Sequence, residues 1–402
     1  MHQHGPRPRE ALHVALALPA IVAAEFLGTT LWFSTNAVSP DISRALDRGG
    51  DLLDLSSPVQ IGFVAGTLLL AFTGLGDRVR ASQIFLWSAL LGAAANALVC
   101  LTPPILWQLM LWRAVTGFAL AGIYPIGMKL AIGWKPSAAK STLGWLVGML
   151  TLGTAFPHLV RYANVGLDWR DVVLTSSMLA AIAGMVVAFV GDGPVRPVNG
   201  GREKHVVAVM RDFQSRPLRH AALAYLGHMW ELYAFWAMVP LLLVHASGAQ
   251  QPSSELARDA FGIIAAGSAG CILGGYVSKK FGSERVACWS MAISALACLC
   301  FPLLADRAAL FALLLVWGVF VIADSPQLST LASEAAAPKR IASTLALLNG
   351  TGFLLTALSI HLSIWAWPTM GAKVAWLLCP GPFLGAMMMR AQRRACTHSV
   401  TS

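Results

Sequence analysis

Residues 172–190, VVLTSSMLAAIAGMVVAFV, hold nineteen consecutive positions without a charged side chain. About twenty apolar residues in a helix, each rising 1.5 Å, cross the hydrocarbon of a bilayer. Residues 61–72, 85–101 and 308–323 have the same character, and the whole chain of 402 residues, 56% hydrophobic and 12% charged, is too apolar for an ordinary soluble domain. Hydrophobicity continues all round these segments instead of alternating with period two, which favours helices over a membrane barrel. Reading outward from 172–190 gives twelve membrane-spanning segments, at 11–36, 58–76, 82–101, 104–133, 141–162, 171–190, 219–246, 256–277, 285–304, 307–333, 341–364 and 369–389. The expected fold is an all-α membrane protein.

The formal charge of +10 raises the possibility of a nucleic-acid partner. Threading the segments with the N-terminus inside removes it. Of the 29 Lys and Arg residues, 20 fall on the cytoplasmic side, seven on the opposite side, and Arg113 and Lys129 within a helix. Such a bias is the positive-inside signature. Both termini are then expected in the cytoplasm of a bacterium, with the protein in its inner membrane and no nucleic acid involved. The first apolar segment lacks a small-residue cleavage pattern and is expected to stay as the first helix. The seven cysteines show no paired metal-ligand spacing, so neither metal nor cofactor is expected.

The sequence repeats itself. STLGWLVG at Ser141 returns as STLALLNG at Ser343, an offset of 202, and Asp77-Arg78 maps at the same offset onto Lys279-Lys280. Pro125 and Pro326, in the fourth and tenth segments, differ by 201. Three correspondences near one offset imply a duplicated six-helix unit. The expected organisation is a six-helix bundle over 1–190, a cytoplasmic linker over 191–218 rich in Gly, Pro and charge, and a second bundle over 219–402.

After the second segment, TGLGDRVRAS (73–82) resembles the loop signature of the major facilitator superfamily through Asp77 and Arg78, with Thr73, Arg80 and Ala81 departing from it. The second copy, GYVSKKFGSER (275–285), keeps Gly275, Lys280 and Gly282 but has Lys279 where the acid stands. RAVTGFALAG (113–122) is similar to the family's Arg-x-x-x-Gly pattern in the fourth helix, through Arg113 and Gly117. GIYPIGMK (122–129), GHMWELYA (227–234) and ADSPQ (323–327) resemble a bacterial, nitrate/nitrite-porter-like branch. The nitrate substrate does not carry over, because GWLVGMLTLGTAFPHL and LALLNGTGFLLTAL match that group's fifth- and eleventh-helix signatures poorly. The resemblance implies two six-helix bundles rocking about a central site.

Charged residues within the spans are the candidates for chemistry, since a charge at mid-bilayer costs a few kcal/mol and faces a cavity or partner. Glu25 in the first segment and Glu231 in the seventh occupy corresponding helices, and His228 lies one turn before Glu231. A His228–Glu231 pair with Glu25 opposite would couple proton movement to transport. The competing reading has Glu231 neutralise Arg113 or bond to a neighbouring hydroxyl, and makes His228 a packing residue. Arg113 either grips an anionic substrate through bidentate hydrogen bonds or neutralises a buried acid. Asp324, just before Pro326, either meets substrate or caps broken backbone. Tyr124 and Asn349 are further candidate lining groups, and Asp77, Arg78, Lys279 and Lys280 form a conformational loop motif.

No zinc-peptidase, nucleophile-elbow or phosphate-binding-loop pattern occurs, so an enzyme is not expected. The expectation is a monomeric secondary active transporter of a small, anionic metabolite, coupled to protons and surrounded by membrane lipid. Its alternatives are a proton-driven efflux antiporter for drugs or cations and a membrane receptor that does not transport.

Overall fold

The computed structural model describes residues 8–48, 53–103, 105–135, 139–163, 168–194, 210–249, 253–337 and 341–400, apart from the side chains of 8–15, 77, 139–141, 341–343 and 394–400. Residues 195–209 of the expected linker and the side chain of Asp77 therefore lie outside the description. No strand occurs among the described residues. The helices are α1 (Pro8–Thr29), α2 (Ser39–Ala45), α3 (Ser57–Thr73), α4 (Leu75–Arg78), α5 (Ala81–Leu101), α6 (Leu106–Leu120), α7 (Tyr124–Trp134), α8 (Ala139–Ala163) and α9 (Trp169–Val190). After the linker come α10 (Arg216–Ser247), α11 (Ser254–Phe281), α12 (Ser283–Cys300), α13 (Arg307–Ala323), α14 (Ser325–Ala335), α15 (Ile341–Met370), α16 (Val374–Leu378) and α17 (Pro380–Val400).

Local chemistry sets many of the ends. Proline in the first turn starts α3, α7, α10 and α14, where its missing N–H costs nothing. Asp168, Ser253 and Asp306 accept from the backbone amides of Arg170, Leu256 and Ala309, and so begin α9, α11 and α13. Gly74 and Gly248, at φ of 63° and 69°, end α3 and α10 in the left-handed conformation.

Nine helical stretches among the described residues are long and apolar enough to cross a membrane, and Leu16–Thr29 and Ser57–Thr73 are shorter apolar helices. The fourth and tenth expected segments are each broken stretches of 29 residues, Leu106–Trp134 and Arg307–Ala335, whose bounds both differ by 201. Each break precedes a Ser-Pro or Tyr-Pro step, so the repeat extends to a shared interruption. Three expectations shift. The first helix stops at Thr29, not at residue 36. The eleventh runs on to Met370, where Gly371 at φ 54° ends it, and the expected 369–389 helix is interrupted, with its long portion starting only at Pro380.

The helices before residue 191 pack mainly on one another, as do those after residue 215. Two seams join the sets, α8 against α11 and α3 against α15. At the first, an added Cβ on Gly148 would lie 3.1 Å from the Ser268 hydroxyl, so small residues set the approach. Closer still is α3 on α6, where a Cβ on Gly117 would stand 1.9 Å from the carbonyl oxygen of Val59, and one on Gly62 1.9 Å from that of Ala114. Gly117 of the Arg-x-x-x-Gly pattern is thus a backbone contact. Gly117→Ala is expected to destabilise the detergent-solubilised protein by about 1–3 kcal/mol, read as a lowered unfolding temperature. Gly262→Ala, where no neighbour lies within 4 Å, serves as the neutral control.

Candidate functional site

Beyond Thr29 the chain turns through residues 30–35 without α-helical bonding, leaving carbonyls in an apolar interior where each needs a donor. Arg113 of α6 supplies them. Its Nη2 donates to the Trp32 carbonyl at 2.6 Å, and its Nη1 to the Leu31 carbonyl at 3.1 Å, Asn96 Oδ1 at 2.9 Å and Ser34 Oγ at 3.2 Å. Its Nε reaches the Leu55 carbonyl at 3.4 Å. Asn96 is fixed in turn by donating to the Val173 carbonyl and Ser177 Oγ. The fully buried guanidinium therefore ties the broken end of α1 to α5 and α6. Among the described residues no carboxylate lies within ion-pair distance of it, so Arg113 and Glu231 are not each other's counterions.

Glu231 makes the corresponding knot in the second set. Its Oε1 accepts from Ser294 Oγ at 2.7 Å, Cys298 Sγ at 3.1 Å and Trp317 Nε1 at 2.7 Å. Three donors on one oxygen give the carboxylate the solvation that water would otherwise provide. Asn96 and Cys298 are 202 residues apart, so each set holds one buried charge where its first, third and fourth helices meet. Glu231 consequently points toward α12 and α13, and the expected His228–Glu231 pair does not form.

His228 turns instead to Asp324. Its Nδ1 lies 2.8 Å from Asp324 Oδ1, an ion-pair contact when the imidazole is charged, although the angle is too bent for a hydrogen bond. Asp324 stands at the break between α13 and α14 but caps neither with its side chain. Across the interface sits Glu25 of α1, fully buried, with neither carboxyl oxygen hydrogen-bonded. Its carboxyl rests against Gly127 of α7, where an added Cβ would lie 2.1 Å from Oε2. Tyr124, at the start of α7, is within electrostatic reach of Glu25, Tyr225 and Cys271, and Tyr233 is within reach of both other tyrosines. Tyr225 also stands near His228, with ring centroids 6.1 Å apart.

Gly127 is therefore a space requirement of the site. Gly127→Ala is expected to swing the Glu25 side chain aside while barely altering the unfolding temperature, because the group that must move is the flexible end of a side chain. Thermal unfolding of the purified variant is the check, with a midpoint expected close to that of wild type.

One end of the interface is closed by rings. Trp32 packs on Phe63, Tyr233 and Phe353 with centroids 5.2, 5.5 and 5.7 Å away, and Phe63 meets Phe353 at 4.2 Å. Phe33 and Trp236 extend the cluster. Around it Asn36 Nδ2 donates to the Ala237 carbonyl, Ser57 Oγ donates to the Ala357 carbonyl, and His361 Nδ1 lies 3.3 Å from Asp54 Oδ2.

The remaining candidates stand apart. Asn349 is half-buried on α15. Lys129 donates to the Gly76 carbonyl beside the first loop motif. Arg78 is exposed, as are Lys279 and Lys280, whose ammonium groups lie 5.1 and 5.3 Å from the rings of Tyr276 and Phe281. Tyr225 and Tyr233 were not among the expected site residues. Tyr225 lies one turn before His228, and that spacing was the available signal.

The sequence profile described as Major Facilitator Superfamily matches residues 21–360, most of the chain. The chain belongs to the major facilitator superfamily. This superfamily protein is multi-pass in the membrane. A chain of Haemophilus influenzae described as a metabolite transport protein is 30% identical over 159 residues, 38% of this chain and 37% of that one, so the match covers little more than a third of the relative. The fold is similar to that of a bacterial homologue of the human lysosomal transporter Spinster, solved inward-facing and unoccupied, with a TM-score of 0.65, 14% identity and coverage of 96% of this chain and 95% of that one.

Proposed function

We propose that this superfamily member is a secondary active transporter that exchanges protons for a small basic or cationic organic solute by alternating access. Glu25 carries the reading. A carboxylate buried without a donor is not sustained alone, so a proton or a cation has to accompany it. Competition of the two for one carboxyl is the simplest coupling of their fluxes. The His228–Asp324 pair gives a second exchangeable proton, and Tyr124 and Tyr225 offer hydroxyls and ring faces to a cation.

The sequence alone favoured an anionic metabolite, and that expectation leaned on Arg113. Its donors are engaged with five protein oxygens. Lys129 likewise donates to protein backbone. The cation-exchange alternative is therefore the better supported substrate class. A metabolite role has the Haemophilus relative in its favour at the level of description alone. By lineage the chain is proposed to lie near the porter-like branch whose segments it resembles, without nitrate as cargo.

Twelve crossings follow if the 50-residue stretch Thr344–Arg393 crosses twice and the two shorter apolar helices each cross once. Two bundles, 1–190 and 219–402, a monomer, a bacterial inner membrane and cytoplasmic termini complete the proposal, on the strength of the repeat and the basic loops. Under that orientation the aromatic cluster closes the outer side. No enzyme activity is proposed.

Proteoliposomes with an acid lumen and an entrapped pH dye test this reading. Added organic amines and quaternary ammonium ions are expected to alkalinise the lumen, and organic acids to leave it unchanged. The opposite selectivity would reject the proposal, and binding without any proton movement would favour a receptor.

A further inference from the structure

At one end of the second helix set, a cleft of about 1190 Å³ opens between α11, α12, α14 and α17. Lys279, Lys280, Arg285, Arg390 and Arg393 line it against two carboxylates, Glu284 and Glu334. Glu334 and Arg393 have partners of their own. Among the described residues no carboxylate lies within ion-pair distance of Lys279, Lys280, Arg285 or Arg390. The two lysines are held over aromatic rings instead. Four cations from three helices thus converge without internal neutralisation, and Lys279 occupies the position that carries Asp77 in the first repeat.

A second observation points to a ligand. Gln327, 3% exposed, lines the same cleft, and its side chain makes no hydrogen bond among the described residues. Its amide atoms are not sealed among protein atoms, and the residue lines the cleft together with Thr330, whose hydroxyl donates to the Pro326 carbonyl. Topology alone explains basic residues on loops, but not a nearly buried, unpartnered amide among the residues that line the same cleft.

We infer that this cleft binds an anionic phosphate group, carried by a lipid headgroup at the membrane surface or by a soluble phosphorylated molecule. Arginine forks and lysine ammoniums match phosphate oxygens, and the Gln327 amide adds a neutral donor. Basic pockets between membrane helices suit anionic headgroups in this way. The site lies on the α11–α12 turn, so its occupant would bear on the loop that copies the first conformational motif.

The full-length protein in detergent is titrated, at constant ionic strength, with inorganic pyrophosphate in one arm and phosphatidylglycerol in the other, with chloride and phosphatidylcholine as references, and its unfolding temperature is followed. Saturable stabilisation is expected from one probe or both. Pyrophosphate alone indicates a soluble phosphate, phosphatidylglycerol alone a headgroup. In Lys279→Gln/Arg390→Gln the half-saturating concentration is expected to rise at least about tenfold, two surface cations having been removed. Should that variant fold poorly, Gln327→Leu and native mass spectrometry of retained phosphatidylglycerol in the wild type give the same reading. Stabilisation no greater than that of the references, or equal in wild type and variants, overturns the assignment.

Discussion

Replacing Arg113 by alanine is expected to lower the unfolding temperature more than substitution of Gly117, Gly127, Glu25 or Glu231, by the equivalent of at least about 3–5 kcal/mol. The side chain is fully buried and donates to five oxygens, three of them backbone carbonyls of Leu31, Trp32 and Leu55. Without it those carbonyls stay buried in an apolar interior, and the turn after α1 loses the group that holds it open. Arg113→Lys is expected to recover only part of the loss, since an ammonium cannot present the planar fork that reaches opposite sides of the turn. Thermal unfolding of the purified proteins in one detergent decides the matter. If Arg113 were kept for an anionic substrate, alanine would leave the unfolding temperature near that of wild type and weaken only ligand binding.

Glu25→Gln should have the largest functional effect. Glutamine keeps the shape beside Gly127 and removes the exchangeable proton, so the fold is expected to survive while solute-driven proton flux falls at least about a hundredfold. Glu231→Gln is the informative comparison, because Glu231 is surrounded by its own donors, Ser294, Cys298 and Trp317. Its flux is expected to stay within a few-fold of wild type. Equal losses in both variants would show that Glu231 also takes part in coupling and would contradict this division of roles between the two acids.

The limits of the sequence follow from lipid as solvent. Crossing segments, their repeat near 202 residues and the breaks before Pro125 and Pro326 are legible, because length and punctuation record them. Rotation about a helix axis is not. A helix apolar on every side carries no stripe to say which face is inward, so Glu25 and Glu231, on corresponding helices, appeared to share a cavity. They are separated by 206 residues, four more than the repeat, so Glu231 stands about one turn along its helix from the position that matches Glu25, where its carboxylate meets Ser294. Arg113 was visible as a costly charge, but its acceptors come from backbone at a helix end that the hydropathy of residues 11–36 conceals. The role of Gly127 was equally hidden, since a glycine records only the atom that fills its space.

Sharing of one unpaired carboxyl between proton and cationic solute is tested most directly by thermal shift at pH 6 and pH 8 with amines, quaternary ammonium ions, organic acids and inorganic anions. A cation binds the ionised carboxyl, so its stabilising effect must grow as protons are withdrawn. Stabilisation by cationic solutes is expected, larger at pH 8 than at pH 6 and lost in Glu25→Gln. Stabilisation by anions that persists in Glu25→Gln would contradict a shared carboxyl.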